Sequence, residues 1–120
     1  MVDSQASKRR TGEVLEALQR VIAGRKGGDP GRSYTARLLA GGAATAGAKV
    51  TEEATELVQA AAAEPAERVV AEAADLIYHT LVLLACRDVT LDQVEAELGR
   101  RFGVSGLEEK AARKASGGEA

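Results

Sequence analysis

The apolar residues of this sequence recur with a period near 3.6 residues, and no segment alternates with the period of two that marks a half-buried strand. In the segment 14–22, valine, leucine and isoleucine follow the spacing of one buried helical stripe. Alanine and leucine dominate the apolar residues, whereas aromatic residues make up 2% of the chain. The sequence therefore predicts an all-α fold with a thin core of small side chains.

Turn and capping residues divide the chain into five to six expected helices. Thr11 and Ser33 are candidate N-caps, Gly41-Gly42 is a break, and Pro65 fits a first helical turn. TLDQ at 90–93 is a capping-box pattern. The expected helices cover residues 11–26, 34–40, 43–63, 65–87, 90–102 and a short stretch after residue 105.

The length of 120 residues indicates one domain, expected over residues 11–114, with disordered tails at 1–10 and 115–120. A net charge of −2 gives no support to nucleic-acid binding. No apolar core follows the basic N-terminal run, as an export signal requires. The longest strongly apolar segment, about 77–85, is too short to span a bilayer. We therefore expect a cytoplasmic protein with no membrane or nucleic-acid partner.

The stretch KVTEEATELV at 49–58 crowds like charges onto one face of the expected third helix. At about 100° per residue, Lys49, Glu52, Glu53 and Glu56 fall within an arc of roughly 100°. Apolar residues occupy another face, so this helix is amphipathic and its polar face is a row of carboxylates beside one ammonium.

A second acidic pair, Glu72 and Asp75, shares one face of the expected fourth helix with His79. A short turn near Pro65 should make the two helices antiparallel neighbours. Because the acidic pairs lie at similar distances from that turn, we expect their carboxylates to face each other across the groove between the helices.

Carboxylates that converge in a partly buried groove are pushed toward protonation unless a cation neutralises them. Mg²⁺ prefers such oxygen ligands. The alternative is a solvated face of i, i+4 ion pairs, which is the usual explanation of a single ExxE motif. Two such motifs placed about one helical hairpin, and poor in basic partners, favour the metal.

The spacing E-E-x-x-E, then fifteen residues, then E-x-x-D resembles the all-α, MazG-like nucleoside-triphosphate pyrophosphohydrolases. SYTARLL at 33–39 and EAADLIYHTLVLL at 72–84 resemble the phosphoribosyl-ATP pyrophosphohydrolase family in particular. The resemblance covers about residues 13–114, and includes RVIAGRK and SGLEEKAARK. Two departures are Thr51, where a glycine is expected, and the small-residue stretch AGGAATAGA at 40–48.

The resemblance implies Mg²⁺-dependent hydrolysis of 1-(5-phosphoribosyl)-ATP to 1-(5-phosphoribosyl)-AMP and pyrophosphate, an early step of histidine biosynthesis. Mn²⁺ is a possible substitute for Mg²⁺. The implied metal ligands are Glu53, Glu56, Glu72 and Asp75. Glu52 would orient or deprotonate the attacking water, or bind a second metal; the sequence leaves these alternatives open.

Five further residues are candidates for substrate binding. Lys49 lies at the edge of the acidic row, and Arg25 and Lys26 precede a flexible glycine-rich loop. His79 is expected to contact substrate or to hydrogen-bond Asp75 one turn back. Tyr34 is expected to contact substrate or to pack in the core. Surface charge is the competing interpretation for all three basic residues.

Other functions compete with this interpretation. The same carboxylates would suit a house-cleaning dNTP pyrophosphatase, against which SYTARLL argues. A di-iron bundle needs Glu-x-x-His motifs that this chain lacks. A non-catalytic helical interaction module would not need the paired acids. The thin core and the apolar fourth helix predict a homodimer.

Overall fold

The computed structural model describes residues 11–103, which form four helices and no strand. The helices are α1 (Glu13–Arg25), α2 (Tyr34–Ala63), α3 (Ala66–Cys86) and α4 (Leu91–Phe102). The all-α prediction is confirmed for this range. Helices α1 to α3 form one compact unit, and α4 belongs to a second unit that begins at Thr90. The expected sixth helix and both expected tails lie outside the described residues.

Two of the four described helices, α2 and α4, begin at a residue whose side chain caps the helix. The Ser33 hydroxyl accepts a hydrogen bond from the Ala36 N–H at 3.1 Å, and Thr90 forms a complete capping box with Gln93. The prediction that Thr11 caps the first helix is wrong. Gly12 is the N-cap, since its carbonyl accepts the first helical bond, from the Glu16 N–H at 2.9 Å. Pro65 likewise precedes α3 and lies outside its first turn.

Helix α2 is broken at Gly42, as the sequence predicts. Gly42 has φ 79° and ψ −175°, a conformation almost restricted to glycine. In a straight antiparallel hairpin, His79 of α3 would lie level with about residue 50, and Tyr34 would be roughly 24 Å further along the helix. The Tyr34 hydroxyl nevertheless lies 3.0 Å from the His79 ring. The break at Gly42 therefore folds the start of α2 back onto α3.

The core of the first unit lies mainly between α2 and α3, and α1 packs against both. Among the described residues, Ile22 and Val82 are the largest fully buried side chains, and small residues such as Ala46 and Ala60 supply much of the remainder. Val58 and Val70 are 67% and 69% exposed. The core is thin, as expected, and leaves apolar side chains uncovered.

The expectation that no segment is long enough to span a membrane needs correction. Helix α3 has 21 residues and a mean hydropathy of 1.7 over its most apolar window, which satisfies length and composition. The expectation considered only residues 77–85, whereas the apolar window of α3 is 18 residues long. One such helix is weak evidence of membrane insertion, since core helices have the same character. Only 22% of this window is buried, so much of the helix lacks cover.

The break in α2 gives a stability prediction. Gly42→Ala forces a side chain into a strained conformation, and we expect it to lower the free energy of unfolding by about 1–3 kcal/mol. Gly47→Ala is the matched control, because Gly47 is within a regular part of α2 and has open space around it. The control should raise stability by roughly 0.5–1 kcal/mol. Urea unfolding measures both, and equal effects would contradict the strained break.

Candidate active site

Helices α2 and α3 bring the predicted carboxylates together. One ligand oxygen each from Glu53, Glu72 and Asp75 lie within 4.8 Å of one another, and the same holds for Glu52, Glu53 and Glu56. Glu53 belongs to both groups. We call these five residues the carboxylate cluster. Its existence follows from the antiparallel pairing of α2 and α3, as the spacing of the two motifs predicts.

Two members of the carboxylate cluster are buried with unsatisfied oxygens. Glu53 and Glu72 are each 6% exposed, and the Oε1 atom of each has no hydrogen-bond partner among the described residues. A buried carboxylate oxygen without a partner is costly, and more so beside a second one. The donors are all hard oxygen atoms at a spacing that one small cation can bridge, so the residues fit a divalent metal such as Mg²⁺.

Two cations partly neutralise the carboxylate cluster. The Lys49 ammonium lies 3.1 Å from Glu52 Oε1 and 3.5 Å from Glu53 Oε2. Arg68 donates from Nη2 to Glu72 Oε2. The prediction that the acidic pairs are poor in basic partners is therefore wrong. The i, i+4 spacing of Arg68 and Glu72 in the sequence could have indicated this ion pair. Within residues 11–103, the cluster of five carboxylates is paired with two cations, Lys49 and Arg68.

The excess negative charge appears in the titration of the cluster. The pKa of Glu56 is raised, first by the charge of Glu53 and then by the neighbouring carboxyl group of Glu72. The pKa of Lys49 is raised mainly by its hydrogen bond to Glu52, with smaller contributions from Tyr34 and Glu53. Glu56 and Lys49 thus hold their protons more tightly than isolated side chains do.

His79 is buried, and both of its ring nitrogens have partners. Nδ1 lies 2.8 Å from the carbonyl oxygen of Asp75, and Nε2 lies 3.0 Å from the Tyr34 hydroxyl. Because a carbonyl only accepts, Nδ1 carries a proton. The expected bond to Asp75 is therefore made to its backbone. Tyr34 is 42% exposed, and Tyr78 packs edge-on to the His79 ring while its hydroxyl bonds Thr35.

Arg25 and Lys26 donate hydrogen bonds to groups outside the carboxylate cluster. Lys26 Nζ donates to the Ala85 carbonyl at 3.0 Å and to Asp88 Oδ1 at 2.5 Å, at the C-terminal end of α3. Ten residues of helix, about 15 Å, separate Ala85 from Asp75. Arg25 donates from Nη1 to the Ser33 hydroxyl at 3.4 Å. Phosphate binding by these two residues stays a prediction.

Comparison with known proteins identifies the family of this chain. A family described as phosphoribosyl-ATP pyrophosphohydrolase matches residues 15–102. Proteins named phosphoribosyl-ATP pyrophosphatase are similar to this chain. The one from Rhodospirillum rubrum is 54% identical over 85% of this chain and 87% of its own length. Those from Erythrobacter litoralis and Paracoccus denitrificans are 56% and 52% identical over 83% of this chain and 96% and 93% of theirs.

The raised pKa of Glu56 gives a prediction about the metal-free protein. A carboxyl whose pKa is higher in the folded than in the unfolded protein makes the fold less stable as pH rises from the ordinary carboxyl range through the raised pKa. Glu56→Gln removes that repulsion. We expect the variant to match the parent at pH 4 and to melt at a higher temperature at pH 8, in EDTA and low salt.

Glu95→Gln, which removes an exposed carboxylate of α4, is the control and should show no such pH-dependent gain. A Glu56→Gln protein that is less stable than the parent at pH 8 would show that Glu56 is a stabilising partner in the metal-free fold.

Proposed function

The chain belongs to the phosphoribosyl-ATP pyrophosphohydrolase family, and from this membership we propose that its carboxylate cluster binds Mg²⁺ and positions a triphosphate for cleavage. The enzyme hydrolyses 1-(5-phosphoribosyl)-ATP to 1-(5-phosphoribosyl)-AMP and pyrophosphate in histidine biosynthesis. The observation that carries the metal proposal is the pair of buried, unpartnered Oε1 atoms on Glu53 and Glu72.

Glu53, Glu56, Glu72 and Asp75 would hold the ion. When bound, Mg²⁺ neutralises phosphate charge and lowers the pKa of a coordinated water, and Mn²⁺ would supply the same chemistry. Burial between the two helices fixes Glu53 and Glu72, whereas Glu56 and Asp75 lie nearer to solvent. The two buried side chains therefore set the position of the ion, and the other two complete its oxygen ligands.

Glu52 lies at the solvent side of the cluster, with its side chain 54% exposed and paired with Lys49. From there it would accept a proton from the water that attacks the bond between the α- and β-phosphates. Alternatively, it would hold a second ion together with Glu53 and Glu56. Its exposure supports contact with water, and its place in a second oxygen group supports the second ion. Both roles require Glu52 in its charged form.

Lys49 and Tyr34 are the substrate contacts that the geometry supports best. The Lys49 ammonium already lies beside two carboxylates of the cluster, within reach of phosphate bound there. Tyr34 is half exposed, and its hydroxyl is held by His79. His79 would thus act through Tyr34 and the backbone of Asp75. Lys26 would have to release Asp88 to reach phosphate, so its predicted contact has less support than those of Lys49 and Tyr34.

We also propose that the enzyme is a homodimer. An open groove of about 590 Å³ runs along α2, lined by Val50, Thr51, Ala54, Thr55, Val58 and Gln59. On α3, Val70 and Ile77 are 69% and 43% exposed. A second copy of the chain would cover these surfaces and compensate for the thin core. The groove shares α2 with the carboxylate cluster, so the dimer interface would lie close to the site.

A cytoplasmic location, without membrane or nucleic-acid partners, completes the proposal. Glu72 and Asp75 lie in the middle of the apolar α3, where a lipid environment would make their charges very costly. A phosphorylated, water-soluble substrate also needs aqueous access to these residues. The apolar surface of α3 is therefore better explained by a protein partner than by a bilayer.

Removing one ligand tests the metal proposal. Glu53→Gln and Asp75→Asn should each lower Mg²⁺-dependent turnover of phosphoribosyl-ATP by on the order of 100-fold or more, because each weakens the charge stabilisation of the leaving pyrophosphate. Neither should unfold the metal-free protein, since each removes repulsion. Glu67→Gln, which removes an exposed carboxylate of α3, should retain full activity. Unfolding of either ligand variant would indicate a structural role for the acidic row.

The dimer is tested by placing a charge in the groove. Sedimentation of the parent should give twice the monomer mass at micromolar concentration, and Val58→Glu should shift it toward monomer. Val58 is 67% exposed in the single chain, so the substitution should leave its helical content unchanged. Val58→Ile is the apolar control. A fully active parent that sediments as a monomer would refute the dimer.

A further inference from the structure

Arg68 is a basic residue of the site to which the sequence assigned no role. It lies one helical turn before Glu72 on α3, and its Nη2 amine donates to Glu72 Oε2. Its Nε atom donates to Glu64 Oε1 at 3.4 Å. These contacts leave the Nη1 amine without a hydrogen-bond partner within residues 11–103, although a guanidinium carries five N–H donors.

The two carboxylate oxygens of Glu72 have different surroundings. Oε2 accepts a hydrogen bond from the guanidinium, whereas Oε1 is buried and has no hydrogen-bond partner within residues 11–103. A carboxylate arranged in this way can offer Oε1 to a cation while Oε2 stays with Arg68. The Arg68 side chain is 53% exposed, so a ligand in solution can reach it.

Distance then limits what Nη1 can contact. Magnesium–oxygen distances are about 2.1 Å, so a phosphate oxygen bound to the same ion as Glu72 would lie roughly 3–4 Å from the Glu72 carboxylate. Arg68 contacts that carboxylate directly, and a guanidinium recognises phosphate through parallel N–H donors. We propose that Arg68 donates Nη1–H to a substrate phosphate while its Nη2 holds Glu72. This inference rests on the metal site proposed above.

Lys49 and Arg68 would then bind phosphate from different helices. Lys49 belongs to α2 and pairs with Glu52 and Glu53, whereas Arg68 belongs to α3 and pairs with Glu72. The substrate carries phosphate in two places, in its triphosphate and on its phosphoribosyl group. The chemistry recognised by Arg68 is the same for both, so the test uses one probe for each.

The test compares Arg68→Gln and Arg68→Lys with Arg100→Gln, which removes another helical arginine that is paired with a glutamate, Glu97. Calorimetry measures binding of pyrophosphate, and separately of ribose 5-phosphate, in the presence of Mg²⁺. Electron paramagnetic resonance measures Mn²⁺ binding without phosphate. Circular dichroism confirms folding, and Arg68→Lys supplies the result if the glutamine variant does not fold.

Loss of a charge-assisted hydrogen bond should weaken binding of one phosphate probe by about 10- to 100-fold in Arg68→Gln. Arg68→Lys, which keeps the charge and loses the planar fork, should be weakened several-fold. Mn²⁺ should bind both variants at least as well as the parent, since Gln removes a positive charge from the site. The weakened probe identifies which phosphate Arg68 contacts.

Phosphate affinities equal to those of Arg100→Gln would overturn the proposal and leave Arg68 as a counterion of Glu72. Loss of Mn²⁺ binding in the Arg68 variants would overturn it in favour of a role limited to holding Glu72. A parent protein that binds no Mn²⁺ would instead refute the metal site itself, and with it this inference.

Discussion

The structure depends on the burial of Glu53 and Glu72 between two neighbouring helices. Small residues such as Ala46 and Ala60 let α2 and α3 approach closely, and the hairpin then places these two carboxylates opposite each other. Each is ion-paired through Oε2 and unsatisfied at Oε1. Burial of these two unsatisfied oxygen atoms opposes folding, so they do not contribute to the stability of the fold. We propose that a cation binds both Oε1 atoms and offsets this cost.

The break at Gly42 connects the fold to this site. It returns the start of α2 to α3, where Tyr34 and Thr35 bond His79 and Tyr78. His79 in turn bonds the backbone of Asp75, a member of the carboxylate cluster. The conformation of Gly42 therefore determines whether Tyr34 lies beside His79 and the carboxylate cluster. A change at Gly42 would affect the site through Tyr34 and His79, without altering any carboxylate directly.

Local patterns in the sequence predicted much of this arrangement. The capping residues Ser33 and Thr90 are local signals, and the carboxylate cluster follows from two helical spacings and one short turn, so each could be predicted. Contacts between distant segments could not. The bond from Lys26 to Asp88 joins residues 62 positions apart, and nothing near Lys26 distinguishes that partner from phosphate. The sequence analysis gave Arg68 no role for another reason. An i, i+4 ion pair on the surface of a helix is common and seldom functional.

The most direct test of this account is anomalous diffraction from crystals of the protein soaked in Mn²⁺. We predict a strong peak about 2.2 Å from Oε1 of Glu53 and of Glu72, with Arg68 still bound to Oε2 of Glu72. Mn²⁺ bound only elsewhere, with the two Oε1 atoms sharing a proton, would contradict it. The carboxylate cluster would then be neutralised by protonation, and the proposed metal site would be refuted.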